Sequence, residues 1–358
     1  MSYLPLRYRL ALSFLLAIWY LAFASALDAA SPKLSEIIDK AKSEGEVVFQ
    51  APDPETGLPT GTYLQDIANL VDKQFGVKIR VKIDNSLNFP GSVAKALTEI
   101  KSGAPPSYDL MIQNSISGIP LVVNKAIEPV PWLEIAPHLT KKELEWNGSV
   151  PVVDTQFLLP LFNSQLVKAQ DVPKSYDDVL NPKWKGKLAM FINFEPWALL
   201  ASPKVWGEPK VTNYLEKLLE LNPKVGRFPE TFQRVVSGEA SVAVHGQRER
   251  ALFYRKQRGA PIDVAQGPEP ALTLVYVFAV PKGARNSNAA ILAATALTTK
   301  EGRELHRKYR FATSMFTAGS EAAEFASKHK VVVPEMDYLT SKKFAEIAKK
   351  VRAIIVRK

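Results

Sequence analysis

The segment EVVFQAPDPETGLPTGTYLQDIANLVDKQF, residues 46–75, sets the pattern for most of the chain. It joins a short apolar run to a loop rich in Pro, Gly and Thr, and then to a longer amphipathic run. The five residues EVVFQ have the length of a strand, whereas the apolar positions after residue 62 recur with the spacing of a helix. The segment therefore predicts a strand, a loop and a helix in that order.

The same unit recurs along the chain. It begins again at the apolar runs KIRVKI (78–83), DLMIQ (109–113), KLAMFI (187–192) and SVAV (241–244). Strands that alternate with helices form parallel sheets covered by helices, because each parallel connection needs a crossover. The predicted fold class is α/β.

Two longer extended passages, residues 150–167 and 271–280, interrupt this alternation. They flank one block of strand–helix units at 187–265 and follow another block at 46–127. Two crossings of this kind suit a protein with two lobes, each with a mainly parallel sheet. The sequence predicts a first lobe at 34–150 plus 271–330 and a second lobe at 151–270. It also predicts a C-terminal amphipathic helix at 331–358 that packs on the lobes rather than on a membrane.

The N-terminus has the pattern of a secretory signal peptide at residues 1–26. The basic leader MSYLPLRYR precedes the apolar run LALSFLLAIWYLAFASA, which ends with Ala24 and Ala26 in an A-x-A arrangement. An uncleaved membrane anchor is the alternative interpretation, since the apolar run is close to the length of a span. We expect a periplasmic or extracellular protein, and with 0 Cys it depends on its core rather than on disulfides.

The chain is basic, with a net charge of +10. Loss of Arg7 and Arg9 with the leader, which holds no acidic residue, would lower this to +8. Such a charge suits nucleic acid, a membrane surface, an anionic small ligand, or solubility alone. Because the lysines are spread along the chain instead of forming a block, nucleic acid is not expected as a partner.

A ligand site is predicted at the carboxyl ends of the parallel strands, where ligands bind in open α/β sheets. Five loops meet there: 51–62, 84–92, 114–119, 193–197 and 245–248. The side chains in and beside them suit binding more than catalysis. The candidate ligand-binding residues are Thr60, Thr62, Asn85, Ser86, Asn114, Ser115, Phe157, Asn193, Glu195, His245, Arg248 and Tyr276. For the polar ones a role as helix caps is the competing interpretation, and Arg248 also fits a solvated helix face with its two neighbours.

Catalytic and metal signatures are not found in the sequence. The four histidines do not have metal-ligand spacing, and no G-x-S-x-G, G-x-G-x-x-G or Walker A motif occurs. We therefore expect no metal, no cofactor and no enzymatic activity. His245 and Glu195 form the only acid–imidazole pair expected at the strand ends, and an exported enzyme on this scaffold would need them.

Several segments resemble extracellular solute-binding proteins, the receptors of ABC importers, across roughly residues 34–320. VPKSYDDVLNPKWKGKLAM (172–190) is similar to that family's Pro, Ser/Thr, Tyr/Trp and Pro-x-Trp-x-Gly-Lys passage, which opens the second lobe. LFNSQLV, VVSGEASVAV, RGAPIDVAQGPEPA and VPKGARNSNAAILAATALTTKEGRELH resemble its other characteristic segments. The ferric-iron-binding branch is nearest in pattern, but that branch has two adjacent tyrosines where this chain has His245, Gly246 and Gln247.

The resemblance implies a two-lobed type 2 periplasmic binding protein that closes by a hinge motion. Such a protein captures a small polar or anionic solute between its lobes and delivers it to an ABC permease in the inner membrane. We expect a monomer. A solute-sensing or partner-binding module on the same scaffold is the alternative function, and an exported enzyme is a further one.

Overall fold

The computed structural model describes residues 31–333 and 335–356, so the predicted signal peptide lies outside the described residues. The strands are β1 (Glu46–Gln50), β2 (Arg80–Asp84), β3 (Leu110–Asn114), β4 (Leu144–Glu145), β5 (Val150–Asn163), β6 (Leu188–Phe191), β7 (Lys224–Gly226), β8 (Val242–Gln247), β9 (Ile262–Val264), β10 (Ala271–Ala279) and β11 (Val331–Val332). The helices are α1 (Pro32–Glu44), α2 (Thr60–Phe75), α3 (Phe89–Lys101), α4 (Ile119–Val123), α5 (Trp132–Ile135), α6 (Tyr176–Val179), α7 (Glu195–Leu200), α8 (Glu208–Glu220), α9 (Phe228–Val236), α10 (Arg248–Arg258), α11 (Ser287–Thr298), α12 (Lys300–Arg310), α13 (Glu321–Lys328), α14 (Met336–Leu339) and α15 (Lys342–Ile355).

Local sequence signals explain where several helices begin and end. Ser31 caps α1 by accepting a hydrogen bond from the backbone N–H of Leu34 at 3.2 Å, and Gly45 ends the helix at a φ of 68°. Ser175 caps α6 in the same way, accepting from the backbone N–H of Asp178 at 3.2 Å. Polar residues beside apolar runs thus determine the ends of these elements.

The strands form a mixed sheet with the order β2-β1-β3-β10-β5-β8-β6-β7. At one end β2, β1 and β3 are parallel, and at the other end β8, β6 and β7 are parallel. The two long strands β5 and β10 lie between these groups and pair antiparallel with each other, with Leu272 opposite Leu158 and Tyr276 opposite Asp154. This arrangement confirms the α/β, two-lobed fold with two crossover strands.

The apolar core is divided in the same way. One cluster joins β1 and β3 to α1, α2 and α11 in the first lobe. Another joins β6 and β8 to α7 and α8 in the second lobe. The C-terminal helix α15 belongs to the second cluster, because Phe344, Ile347 and Val351 pack there with Trp197 and Leu215.

The predicted domain boundaries at residues 150 and 271 remain a prediction. Packing argues for one adjustment near the C-terminus. Ala322 and Phe325 of α13 share a cluster with Phe232 and Val235 of α9, which lies in the second lobe. We therefore propose assigning residues 321–328 to that side, although the prediction placed 271–330 in the first lobe.

Strand β8 is longer than the sequence pattern predicts. The prediction ended this strand at Val244 and treated the following three residues as loop, whereas the strand continues to Gln247. Gly246 lies opposite Leu159 of β5, and a Cβ at this position would collide with Cδ1 of Leu161. This glycine therefore allows two strands to approach closely instead of marking a turn.

Among the helices of residues 31–333 and 335–356, none has the length and apolar character needed to cross a bilayer.

Candidate functional site

A cavity of about 400 Å³ opens between the two lobes. It lies at the carboxyl ends of β1, β3, β6 and β8, where the fold class places ligand sites. The crossing strands contribute its floor through Leu158, Leu274 and Tyr276. The other lining residues are Pro52, Asp53, Glu55, Phe89, Asn114, Phe191, Asn193, Glu195, Pro196, Phe228, Pro229, Gln247, Arg250 and Arg310.

Two arginines and a carboxylate form the charged part of this cavity. Glu55, in the loop after β1, is ion-paired with Arg310 at the end of α12 (N–O 3.0 Å) and with Arg250 on α10. Because Glu55 and Arg310 belong to the first lobe and Arg250 to the second, this cluster connects the lobes. The side chains of Glu55, Arg250 and Arg310 are 10%, 18% and 3% exposed, so solvent screens these pairs weakly.

Arg310 has fewer partners than its burial requires. Its Nε lies 3.6 Å from a carboxylate oxygen of Asp154, which is too long for a hydrogen bond, and neither Nε nor Nη1 has a hydrogen-bond partner. Burial alone would lower the pKa of Arg310, but the carboxylates of Glu55 and Asp154 raise it above its ordinary value. A buried guanidinium that stays charged and keeps free N–H donors is a place for a ligand's acceptor oxygens.

The side chains around Arg310 fix its position. Its guanidinium lies 5.5 Å from the centre of the Tyr276 ring. The neighbouring Asp154 is hydrogen-bonded to Nε2 of His306 at 2.8 Å. Burial raises the pKa of Tyr276, which keeps this phenol protonated. Its hydroxyl accepts a hydrogen bond from Gln247 Nε2 at 3.4 Å. The pocket is therefore held in one arrangement by side chains from both lobes.

The charges in the cavity nearly cancel. Glu55 and Asp154 offset the two arginines, and the carboxylate of Asp53 is exposed at the mouth, where it accepts hydrogen bonds from Thr60 and Asn85. The cavity therefore selects a ligand by directed N–H donors rather than by a net positive field. Most of its remaining wall is apolar or aromatic, as is usual for small-molecule sites.

Glu195 is the third acidic residue of the lining. It begins α7, is 8% exposed, and its Oε2 has no hydrogen-bond partner. Burial raises the pKa of Glu195, which favours the neutral acid. A neutral carboxyl repels a bound anion less than a carboxylate would and can itself donate a hydrogen bond.

The structure brings four of the twelve predicted site residues into the cavity lining: Asn114, Asn193, Glu195 and Tyr276. Five others lie outside the lining for local reasons. Thr60 and Asn85 donate hydrogen bonds to the carboxylate of Asp53, and Ser86 donates one to that of Asp84. Thr62 is exposed on α2, and Ser115 is buried. Phe157 also lies outside it, because this residue faces α13 and packs against Phe325 with the ring centres 4.5 Å apart.

His245 requires a correction of placement. The longer strand β8 takes it into the core, where it is 1% exposed and packs against Trp197 and Tyr176. Burial lowers the pKa of His245 to about 3, so the ring is neutral. His245 does not line the cavity that Glu195 lines, and the acid–imidazole pair that a catalytic alternative needs is not assembled there.

Arg248 is corrected in the same way. Its guanidinium lies 4.3 Å from the centre of the Phe325 ring and 3.0 Å from a carboxylate oxygen of Glu249, outside the lining. Arg250, two residues later on α10, faces the cavity instead, because residues two apart on a helix point in different directions. The sequence pattern predicts an arginine of this helix at the site, and the one that lines the cavity is Arg250.

Three charged residues of the lining, Glu55, Arg250 and Arg310, are not among the predicted site residues. Glu55 lies within one of the predicted loops, so its position was available. Arg310 is the last residue of α12, far along the chain from every predicted loop, and no local pattern marks it. Within the described residues, no cluster of His, Cys, Asp or Glu side chains suits a metal ion.

Comparison with known proteins gives a consistent result. Residues 67–331 match the family model of bacterial extracellular solute-binding proteins. An uncharacterized protein of Haemophilus influenzae is 28% identical over 144 residues, which are 38% of this chain and 40% of that protein. The chain is thus aligned with less than half of that relative's length.

Two solved structures share the fold. Iron-bound HitA from Pseudomonas aeruginosa has a TM-score of 0.64 at 16% identity and matches 86% of this chain and 99% of its own. The periplasmic binding protein AfuA from Actinobacillus pleuropneumoniae, with fructose-6-phosphate bound, has a TM-score of 0.67 at 20% identity and matches 88% and 99%. At such identities the likeness concerns the fold, and each ligand belongs to the protein in which it was found.

Proposed function

Because the chain belongs to the family of bacterial extracellular solute-binding proteins, we propose that it is the substrate-binding component of an ABC importer. It captures a small polar molecule that carries a carboxylate or a phosphate group. The cavity between the lobes is the proposed binding site, and the ligand-binding residues are Arg310, Arg250, Tyr276, Asn114, Asn193 and Glu195. We assign the chain no catalytic step and no cofactor.

A single observation carries the ligand class. Arg310 is 2% exposed and lines the cavity, yet two of its nitrogens have no hydrogen-bond partner. A buried donor without a partner costs roughly 1–3 kcal/mol, and a ligand oxygen would recover this cost on binding. Carboxylate and phosphate oxygens suit a guanidinium best, because their geometry matches its parallel N–H groups.

The family supports a periplasmic location and a permease as partner. We propose that the protein acts in the periplasm as a monomer and that its lobes close over the ligand. The closed form then meets a permease in the inner membrane, and no nucleic acid takes part. A sensing role on the same scaffold would use the same cavity, so the binding experiment below tests the ligand site under either role.

The test is isothermal titration of the purified protein with a panel of small carboxylates, phosphates, sugar phosphates and uncharged sugars. We expect a carboxylate or phosphate to bind and the uncharged compounds to fail. Arg310→Met should weaken that binding about 100-fold, since a hydrogen bond to a charged group contributes about 1.5–3 kcal/mol. Arg310→Lys keeps the positive charge but not the parallel N–H donors of the guanidinium, so it should weaken ligand binding less than Arg310→Met does.

Arg307→Met is the matched control. Arg307 lies on the same helix, but its side chain is 48% exposed and pairs with Glu304 at 3.0 Å. Its binding should equal that of the unaltered protein. Selective binding of uncharged sugars, or full affinity in both Arg310 variants once thermal unfolding has shown them folded, would refute the proposed ligand class.

A further inference from the structure

A second cavity of about 500 Å³ adjoins the first between the lobes. The first lobe contributes α3 and α4 to its wall, and the opposite wall comes from the start of α7 and from α14 and α15. Its lining residues are Pro90, Val93, Ala94, Leu97, Ile116, Ser117, Ile119, Pro120, Val123, Asn124, Phe194, Glu195, Leu339, Thr340, Ser341, Phe344, Ala345 and Arg352.

This second cavity is predominantly apolar. Among the described residues that line it, Glu195 and Arg352 alone carry ionisable side chains. The guanidinium of Arg352 lies 4.0 Å from the centre of the Phe194 ring and is exposed to water, so it does not need a ligand as a partner. Val123 is 61% exposed at the edge of the cavity, so apolar surface is left open to solvent there.

The two cavities share one lining residue and border each other at two further places in the chain. Glu195 lines both of them. On α3, Phe89 lines the first cavity and Pro90 the second, and after β3 the lining passes from Asn114 to Ile116 in the same way. A molecule anchored at Arg310 can therefore extend past Glu195 into the apolar space without leaving the cleft.

Glu195 suits the boundary between the two spaces. Its Oε2 has no hydrogen-bond partner and burial raises its pKa, so the protonated form is favoured at the border of the apolar chamber. A carboxylate at this place would oppose both an apolar chain and the anionic head of a ligand.

We infer that the cleft takes an amphiphilic acid, whose carboxylate or phosphate head meets Arg310 and whose hydrocarbon part fills the cavity lined by α3, α4 and α15. This inference rests on the proposed function and adds the apolar portion of the substrate. The apolar chamber supplies affinity by removing hydrocarbon from water, and Arg310 fixes which end of the molecule enters first.

The test is isothermal titration of the full chain with butanoate, hexanoate and octanoate at one pH and ionic strength. Each added methylene that becomes buried should tighten binding about fourfold. Ala345→Phe places a ring in the apolar chamber from an exposed helix position, so it should abolish the gain for octanoate while leaving butanoate unchanged.

Ala353→Phe is the matched control, because Ala353 is also exposed on α15 but does not line the cavity. It should keep the full dependence on chain length.

Equal affinity for all three acids, with butanoate binding lost in Arg310→Met, would overturn the inference and leave the proposed function intact. Failure of all three acids to bind would also overturn it, and only a further failure of the wider carboxylate and phosphate panel would count against the proposed function. An unchanged chain-length gain in Ala345→Phe would place the hydrocarbon elsewhere and overturn it as well.

Discussion

Arg303 and Arg310 lie two turns apart on the same helix, α12, and have opposite surroundings. Both are largely buried and both pair with a glutamate, Arg303 with Glu143 at 3.0 Å and Arg310 with Glu55 at 3.0 Å. Arg303 also donates from Nε to the carbonyl of Thr298 at 3.0 Å and from Nη1 to that of Val153 at 3.4 Å. Arg310 has no equivalent partners for Nε and Nη1.

The partner of Arg303 is satisfied as well. One oxygen of Glu143 accepts from Arg303 and from the Thr317 hydroxyl, and the other accepts from the backbone N–H and hydroxyl of Thr140. A cavity of about 730 Å³ lies beside this cluster, larger than the one at Arg310. We therefore base the proposed ligand site on unfilled hydrogen-bonding capacity beside a cavity and not on cavity volume.

The largest expected effect in this comparison is on folding. Arg303→Met leaves Glu143 buried without its cation, so the free energy of unfolding should fall by about 3 kcal/mol. Ligand affinity should stay within twofold, because Arg303 does not line the cleft. Urea denaturation and titration of the same preparation measure the two quantities. A large loss of affinity with unchanged stability would contradict the assignment of Arg303 as structural.

His245 sharpens the comparison, because its Nε2 is a buried nitrogen without a partner that lines no cavity of the cleft. Burial lowers its pKa from 6.5 to about 3, so the unfolded chain binds a proton before the folded one does. Its contribution to stability is complete above pH 6.5 and is lost as the pH falls from there toward 3. At pH 5 the loss should be on the order of 2 kcal/mol.

His245→Phe removes this titration, so the slope of stability against pH between 6.5 and 5 should become shallower. Chemical denaturation at several pH values measures the slope, and ligand affinity at pH 7.5 should not change. Weaker ligand binding in a folded His245→Phe protein would show that a buried nitrogen without a hydrogen-bond partner affects ligand affinity even when it does not line the cavity.

The smallest effect is expected from Thr317→Val. Its hydroxyl donates to Glu143 at 3.2 Å, and Glu143 keeps its other partners when this bond is lost. The free energy of unfolding should fall by about 1 kcal/mol, the usual contribution of one hydrogen bond. A drop as large as that of Arg303→Met would show that the cluster acts as one unit instead of as separate bonds.

The fold was largely predictable from the sequence, because the spacing of apolar residues along the chain distinguishes strands from helices. EVVFQ and the helix after it occur where the pattern predicts, and the two crossing strands match the two long extended passages. The predicted loops also lie at the edge of the sheet where the cavity between the lobes opens. Four of the candidate side chains line the cavity there.

The remaining errors arise from information that no local pattern contains. Gly246 resembles a turn residue, but its purpose is to let β8 approach Leu161 of a strand more than eighty residues earlier in the chain. Whether Arg248 or Arg250 faces the cleft depends on the rotation of α10, which packing sets. Arg310 reaches the site because α12 folds back beside α2 and β5, a long-range arrangement that periodicity cannot specify.

The pairing of β5 with β10 also has a mechanical consequence. Two of the connections between the lobes, β5 and β10, are neighbouring strands of one ladder, so we expect a rotation of one lobe against the other to twist this two-stranded ribbon. The ladder register shifts between Tyr276 and Val277, and irregularities of this kind concentrate twist locally. We therefore expect a rotation of the lobes to be centred near Tyr276, whereas Arg250 is carried by α10 and moves with the second lobe.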